Sequence, residues 1–518
     1  MTVSDARPVQ MPPGPRASRW VKVLDQSRCI GCHACTTACK SENSVPVGVT
    51  RTYVKSVEVG TFPHVRRNFQ VTRCNQCRDA PCVAICPTQA MYTRADGIVD
   101  FDKSICIGCK ACMAACPYDA IFINPDDHSA EKCNFCAHRL DIGLEPACVT
   151  VCPTEAILIG DLEDSDSKVA RLVHREPVSV RRPEKETRPG VFYKGAHHST
   201  LDPLAARRPD GDLFAWATQG GGDAQRLTSG HPGNRNSSAA ALLSYDVPHD
   251  APWGWRVSVY TWTKGLAAGT MLIMGALALA GRIGWDNPVV RWVSPLLALL
   301  FLAVTGALLV WDLKHPTRFY LIFTRHHWKS WLVKGSFTIA GYGGFVSLFL
   351  LGSLLDSVGL REAATWGVLP FAIGTATYTA FLFAQAKARD LWQNPLLFPH
   401  LVVQAGLVGA AAVLPFAVWL APHPVVAVVE VLLAATTGGY LFFVVGEIGM
   451  THGTAHTHLA VEELVRGRFA RFFWPGVVFV AVGVSAPWIG AVASPFALVG
   501  LLAYEHAFVQ SAQAVPIA

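Results

Sequence analysis

Hydrophobic and polar positions divide this 518-residue chain into two unlike halves. From Val257 onward, apolar residues run for about 20 positions at a time, the length that carries a helix across a bilayer. Eight such stretches can be drawn, at 257–280, 290–311, 331–354, 363–386, 397–420, 425–447, 473–492 and 494–511, the last two joined by a short Gly/Ser/Pro turn. Between residues 20 and 160 the pattern is instead one of short repeated units, each read as strand, loop, short helix, Cys-Pro turn and strand. Residues 161–250 are rich in Ser, Gly, Pro and charge, a composition that predicts linker and surface wrapping, with 205–240 as a disordered tether. The expected organisation is a tail at 1–20, a compact domain at 21–160, the linker at 161–250 and a membrane domain at 251–518.

Composition sharpens this division. Hydrophobic residues make up 51% and charged residues 16%, against about 25% charged in ordinary soluble proteins, and most of the bias lies after residue 255. The formal charge of +6 comes from basic residues in membrane-flanking loops and the linker, so no nucleic-acid partner is expected. Residues 1–20 show neither a hydrophobic export stretch nor a twin-arginine pair. An even number of spans puts the front domain and the C-terminus on one side. Loops there carry Lys314, Arg318, Arg325, Lys329, Lys387, Arg389, Arg466, Arg468 and Arg471, against Arg282, Arg291 and Arg361 opposite. The positive-inside rule then predicts a cytoplasmic front domain, on a bacterial inner membrane. Co-export with a signal-bearing partner would reverse the orientation.

All sixteen cysteines fall between Cys29 and Cys152. They form four groups: Cys29-x2-Cys32-x2-Cys35-x3-Cys39, Cys74-x2-Cys77-x4-Cys82-x3-Cys86, Cys106-x2-Cys109-x2-Cys112-x3-Cys116 and Cys133-x2-Cys136-x11-Cys148-x3-Cys152. Spacing this tight excludes a framework of separate disulfides. Zinc uses CxxC pairs but needs neither the third Cys nor the Cys-Pro that follows three of the groups. The third group matches the bacterial ferredoxin run in which three thiolates bind one cubane and the fourth reaches another. Four thiolates per [4Fe-4S] cluster predict four clusters with none left over. Asp25-x3-Cys29-Ile30-Gly31-Cys32 recurs as Asp102-x3-Cys106-Ile107-Gly108-Cys109, and Cys86-Pro87, Cys116-Pro117 and Cys152-Pro153 each open a similar turn, which marks a duplicated unit. Gly31 and Gly108 are expected to let the backbone turn tightly around a cube.

This stretch resembles the four-cluster electron-transfer subunits of polysulfide, dimethyl sulfoxide and nitrate reductases. The resemblance implies cross-ligation: Cys29, Cys32 and Cys35 with Cys152; Cys133, Cys136 and Cys148 with Cys39; Cys74, Cys77 and Cys82 with Cys116; and Cys106, Cys109 and Cys112 with Cys86. Spacing alone leaves the pairing open. Some members carry Trp and a three-iron cluster where this chain has Cys109, so four cubanes are expected. Lys40 stands where the other motifs have Pro. The run Pro189-Gly190-Val191-Phe192-Tyr193 resembles the tail with which such subunits clasp their partners.

The membrane half resembles the polysulfide-reductase/nitrite-reductase membrane-anchor family, an eight-helix quinone-binding subunit. The resemblance rests on Pro252-Trp253-Gly254-Trp255 leading into Thr263-Lys264-Gly265, on Asp312-Leu313-x-x-Pro316-x-Arg318-Phe319, on Trp328-x-Ser330-Trp331-x-x-Lys334-Gly335 and on Gln510-x-x-Gln513-Ala514-Val515-Pro516. Together the two resemblances imply an α+β ferredoxin-like domain (a tandem dicluster) followed by an all-α bundle of eight membrane helices. They imply an electron-transfer and membrane-anchor subunit of a respiratory oxidoreductase, with a molybdopterin-containing catalytic subunit as partner and menaquinone or ubiquinone as the exchangeable substrate. The Cys29 cluster would face the partner and the Cys106 cluster the membrane. An ion-translocating module, a redox sensor and a partner that is a multihaem cytochrome are the alternatives.

An ionisable side chain inside a spanning helix invites a functional reading. The expected quinone contacts are Tyr260, Lys264, Asp312, Arg318 and Trp331, with Tyr260 one turn before Lys264 on the same face. Snorkelling of Lys264 and an Asp312–Arg318 ion pair are the structural alternatives, and Lys334 reads as an interfacial anchor. Glu430, Glu447, Glu505 and His506 either relay protons or bind one another. His506 is the one clear intramembrane histidine, so no haem is expected. His452, His456 and His458 read as a solvated loop.

Overall fold

The computed structural model describes residues 18–207 and 241–518. In the front domain, short elements alternate with cysteine loops. Trp20–Asp25 is the inner strand of a four-stranded sheet, antiparallel to Ile157–Asp161 and parallel to Val191–Lys194, which in turn pairs with Val178–Ser179. Val21, Val23, Val191 and Tyr193 are buried on its faces. A second, antiparallel sheet joins Thr52–Val59 to Arg66–Arg73 on one side and to Ala241–Tyr245 on the other. Two small hairpins, Met91–Thr93 with Val99–Phe101 and Ile121–Ile123 with Ala130–Lys132, follow the short helices Pro81–Ile85 and Ala111–Ala115. That repeated helix-then-hairpin unit is the ferredoxin-like duplication.

The sequence repeats reappear as repeated backbone conformations. In each Cys-Pro element the residue three places after the Cys takes positive φ: Gln89, Asp119 and Glu155 at 60°, 48° and 49°. Gly31 and Gly108 also take positive φ, 69° and 67°. At Gly108 a side chain is excluded for a second reason. An added Cβ would lie 3.1 Å from the Lys314 backbone, where the loop after the second membrane helix presses on the cysteine domain.

The stretch expected as linker is in part a component of the sheets. Val191–Lys194 completes the first sheet and Ala241–Tyr245 the second, while Lys168–Arg175 is a helix. The Pro189–Tyr193 run thus clasps this chain's own first strand. Its alternating Val191 and Tyr193 point into the core, and a strand of four residues is too short to stand out among Pro, Gly and charge. Most of the expected tether, 208–240, lies outside the described residues.

Seven helical stretches among the described residues are long and apolar enough to cross a membrane: Trp255–Leu279, Val289–Asp312, Trp331–Leu354, Val358–Gln385, Leu397–Leu420, His423–Gly449 and Ala470–Ala514. The expected eighth is not a separate element by this measure, because the last stretch of 45 residues runs on without a polar gap. Its α-helical parts, Ala470–Ala481 and Ala493–Ala514, are joined through Gly490 at φ 61° and fold back on each other, with an added Cβ at Gly476 falling 2.9 Å from the Gly500 carbonyl oxygen. The first helix is the hub. It packs against the second, fourth, fifth and last, and crosses the fifth at Gly269 and Gly409, where a Cβ on Gly269 would sit 2.9 Å from Gly409 Cα. Close approach at small residues is how helices associate in a medium that offers little hydrophobic drive between them. Trp419, Trp488, Phe442 and Val445 are exposed on the outside, as a lipid-facing surface requires.

Candidate functional site

The sixteen thiols gather in four quartets, each fed by two of the sequence groups. Cys39 is crowded by Cys133, Cys148 and Cys136, and burial followed by this crowding pushes its pKa up to about 12. Cys152 and Cys32 lie beside Cys29, which shares its surroundings with Cys35. Cys74, Cys116 and Cys77 surround Cys82. Cys109, Cys106 and Cys86 surround Cys112.

Each quartet suits a cubane better than a single ion. Among the described residues no three Cys, His, Asp or Glu side chains approach closely enough to hold one metal ion, whereas zinc draws its sulfurs to about 2.3 Å from the metal. Backbone N–H groups donate to the sulfurs: Met91 to Cys86 at 3.4 Å, Ala130 to Cys106 at 3.4 Å and Ala156 to Cys152 at 3.2 Å. Cys86, Cys106, Cys109 and Cys112 line one common cavity. Such hydrogen bonds and burial are what tune a cluster's potential.

The quartets differ in exposure. Cys32 is exposed and Cys29 and Cys152 are half-buried, with Ile30 and Val151 beside them open to solvent. At the other end, the Cys106 group is docked on the membrane half. Arg318 donates to the carbonyl oxygens of Lys103 at 2.9 Å and Cys106 at 3.0 Å, Trp253 Nε1 donates to the Cys109 carbonyl at 3.2 Å, Ser330 Oγ donates to the Ile85 carbonyl at 2.6 Å, and Lys110 pairs with Asp312 at 3.0 Å. Every one of these bonds reaches the loops or helix ends around 253, 312–318 and 330. Nearby, His249 sits between Asp119 and Asp246 at 2.6 and 3.2 Å. Burial would lower its pKa, but the two carboxylates overcome this and raise it to about 10.

Beyond this contact a cavity of about 250 Å³ opens among the first four membrane helices. Cys109 forms part of its wall, and Tyr260, Asp312, Ser336 and Tyr378 supply its polar groups amid Val257, Leu309, Phe319, Ile339 and Leu382. Of the five expected quinone contacts, Tyr260 and Asp312 line this space. Lys264 lies behind it, fully buried, with Nζ over the Tyr378 ring at 4.8 Å, donating to the Ala376 carbonyl at 2.9 Å and to Thr379 Oγ1. It does not snorkel. Arg318 grips the cysteine domain instead of pairing with Asp312. Trp331 stacks on Phe381 at 4.2 Å and carries Lys334 over its ring at 4.3 Å. Tyr378, Ser336 and Trp253 are the lining residues the sequence reading missed. Nothing but their position in a predicted helix or its entrance marked them.

Deeper polar residues form two linked pairs. Glu505 accepts from Gln404 Nε2 and from Thr261 Oγ1 at 3.0 Å. Glu447 accepts from Tyr504 OH at 2.9 Å and meets His400 Nδ1 at 2.9 Å. His400 is a buried intramembrane histidine that the expectation for His506 overlooked, hidden by its place one residue after Pro399 at a helix start. His506 itself packs on Phe472, and Glu430 stands apart near Gly490. Of the expected histidine loop, His456 and His458 fall in the helix Ala455–Val465 while His452 precedes it, and His456 meets Arg182 at 3.1 Å.

Three family descriptions match the chain. Residues 20–41 match a 4Fe-4S binding domain, 65–162 a 4Fe-4S dicluster domain and 245–504 polysulphide reductase, NrfD. The front half is 43% identical to a tetrathionate reductase subunit of Salmonella typhimurium over 193 residues, 36% of this chain and 77% of that protein. It is 41% identical to a polysulfide reductase polypeptide of Wolinella succinogenes over 182 residues, 34% of this chain and 94% of the relative. It is 47% identical to the thiosulfate reductase electron transfer subunit PhsB of Salmonella typhi over 133 residues, 25% of this chain and 69% of that protein. With apolar helices spanning its matched C-terminal half, the chain is a multi-pass membrane protein that belongs to the NrfD polysulphide reductase family and carries 4Fe-4S domains on the same polypeptide.

Proposed function

We propose that this chain is the electron-transfer and membrane-anchor subunit of a respiratory oxidoreductase, joining a catalytic subunit to the quinone pool through four [4Fe-4S] clusters. The observation that carries the reading is that Cys109, a thiol of the innermost quartet, is itself part of the wall of the intramembrane cavity. Bound clusters supply one-electron carriers that need no proton. This chain's residues do the rest. The sixteen cysteines hold the clusters in line. Arg318, Ser330 and Trp253 fix the innermost quartet against the bilayer end of the cavity. Tyr260 and Tyr378 offer hydroxyls to a quinone carbonyl, and Asp312, held by Lys110, lies where a proton must pass. Menaquinone and ubiquinone share the headgroup chemistry this cavity would accept.

The exposed end at Cys29, Cys32 and Cys152, flanked by Ile30 and Val151, suits docking of a catalytic partner, for which a molybdopterin enzyme is our reading. The fold-back of residues 470–514 supports two crossings there, hence eight in all. With eight, the nine basic residues of the loops beside the cysteine domain favour its placement in the cytoplasm of a bacterium. On the opposite face, Arg291 and Arg361 are already paired with Asp286 at 3.8 and 2.6 Å.

Gly306 provides the test. It lines the cavity, and a Cβ there would meet nothing within 4 Å, so Gly306→Leu projects its side chain from an unobstructed position into that space. Reduction of a short-chain quinone by the chemically reduced protein is expected to collapse, with cluster EPR signals and dye-linked electron transfer retained. Normal quinone kinetics in that variant would dismiss the cavity as the site.

The buried pairs Lys264–Thr379, Gln404–Glu505 and His400–Glu447–Tyr504 favour a second reading, an ion-translocating module. In proteoliposomes this predicts proton uptake during quinone turnover beyond the two protons of the quinone chemistry, lost in Glu505→Gln. Uptake of the scalar amount alone would remove it.

A further inference from the structure

Two cations are buried against one quartet and have no acidic partner among the described residues. Lys22 and Arg73 are 0% and 1% exposed, and both point at Cys148: Lys22 Nζ lies 3.4 Å and Arg73 Nη1 3.2 Å from its Sγ. Arg73 Nε and Nη2 have no hydrogen-bond partner among those residues, and Lys22 lies over the Phe135 ring at 4.6 Å. A buried charge without a counter-ion is strongly destabilising, so something anionic belongs there.

No other quartet faces two such cations. Lys132, 0% exposed beside Cys74, is a single one, and it shares its ammonium with the carbonyl oxygens of Val99 and Cys133. Lys110, near Cys109, is neutralised by Asp312. The Cys29 quartet is open to water, which screens charge.

We propose that Lys22 and Arg73 are the fixed counter-charges of the cluster held by Cys39, Cys133, Cys136 and Cys148, and that they make it the highest-potential of the four. The inference rests on the reading of the quartets as cluster sites. On reduction the cluster gains one electron from its neighbour and no proton, so it carries one more negative charge, and a cation held in a dry site favours that form. This quartet is then where electrons reside between turnovers. Lys22 and Arg73 are positioning residues, acting through the electrostatics of the cluster.

The test is an EPR-monitored redox titration of the full-length holoprotein in detergent. Lys22→Met should lower one potential so that the reduced-to-oxidised ratio at fixed potential falls at least tenfold, about 59 mV for one electron, with the other three unmoved. Arg73→Gln should lower the same potential and, by less, that of the Cys29 quartet, because Arg73 also faces Cys35. Lys22→Arg, which keeps the charge, should restore it. Four unchanged potentials at full iron content would overturn the inference. Unmodified protein without cubane signals would instead overturn the reading of the quartets. Should the charge variants fail to load, Cys39→Ser alters the spectrum of this one cluster. The wild-type signal so identified must be the highest-potential of the four, and any other rank sinks the proposal.

Discussion

The two halves of this molecule are held together by opposite means. In the front half no helix among the described residues exceeds nine residues, and the interior is filled by thiols and by cations such as Lys22, Arg73 and Lys132. Conventional apolar packing there is broken into several small clusters of residues. The membrane half has six spans of 24 to 28 residues and a last stretch of 45, a large apolar core that takes in only Ile85, Ala111, Ala114 and Ala115 from the cysteine loops, and backbone-to-backbone contact at Gly269, Gly409, Gly476 and Gly500. The first design depends on inorganic cofactors to neutralise and bridge what the chain buries. The second is complete in its own covalent structure. Loss of a ligand and loss of a close contact should therefore fail in different ways.

The largest expected effect is on the side of the thiols. Cys109→Ala removes one ligand of the innermost quartet and should remove or convert one cluster, abolishing electron delivery to quinone while the other three signals persist. Iron content and EPR read the outcome, and an unchanged spectrum would refute the assignment. The counterpart in the bilayer is Gly269→Val, which forces the first and fifth helices apart. Overpacking of this kind costs roughly 1–3 kcal/mol, so detergent-solubilised protein should melt earlier with its iron count intact. A variant that lost iron in proportion to its loss of stability would blur the contrast between the halves.

At their junction, Arg318→Ala deletes two hydrogen bonds from a charged donor, worth about 1.5–3 kcal/mol each at most. It should slow quinone reduction while leaving dye reduction at the exposed end unaffected. Equal slowing of both would mean that Arg318 supports the cluster domain itself and not its docking. The smallest effect concerns pH. His249 has its pKa raised from 6.5 to about 10 by Asp246 and Asp119. Its contribution to stability is therefore full below about pH 6.5, where the unfolded imidazole is also charged, and fades as pH climbs toward 10. Thermal denaturation between those limits should show a decline that His249→Asn abolishes.

These contrasts also explain what could be read in the sequence. The cysteine groups were legible because cluster ligation demands a fixed residue type at fixed spacing, and the 4Fe-4S domain matches fall on them. Val191–Lys194 was not, since a parallel partner for a distant N-terminal strand leaves only two inward side chains as its trace. In the membrane half the helices were plain from apolar length, while the last boundary was obscure because no charge separates Ala481 from Ala493. The cavity was half visible. Tyr260 and Asp312 stood out as polar groups at helix ends, but Tyr378, Ser336 and His400 owe their roles to which way their helices are rotated, and apolar composition on every face leaves that rotation unwritten.

One feature of the connection has mechanical weight. Ala241–Tyr245 is stitched into the sheet of the cysteine domain, and Trp255 already begins the first membrane helix. The intervening nine residues could stretch to about 32 Å at most, yet they are pinned by His249 and Trp253 along the way. Many redox carriers commute between donor and acceptor on a flexible leash. This one is soldered in place at that connection, so under the proposed function electrons cross fixed gaps and only the small molecules in the lipid travel.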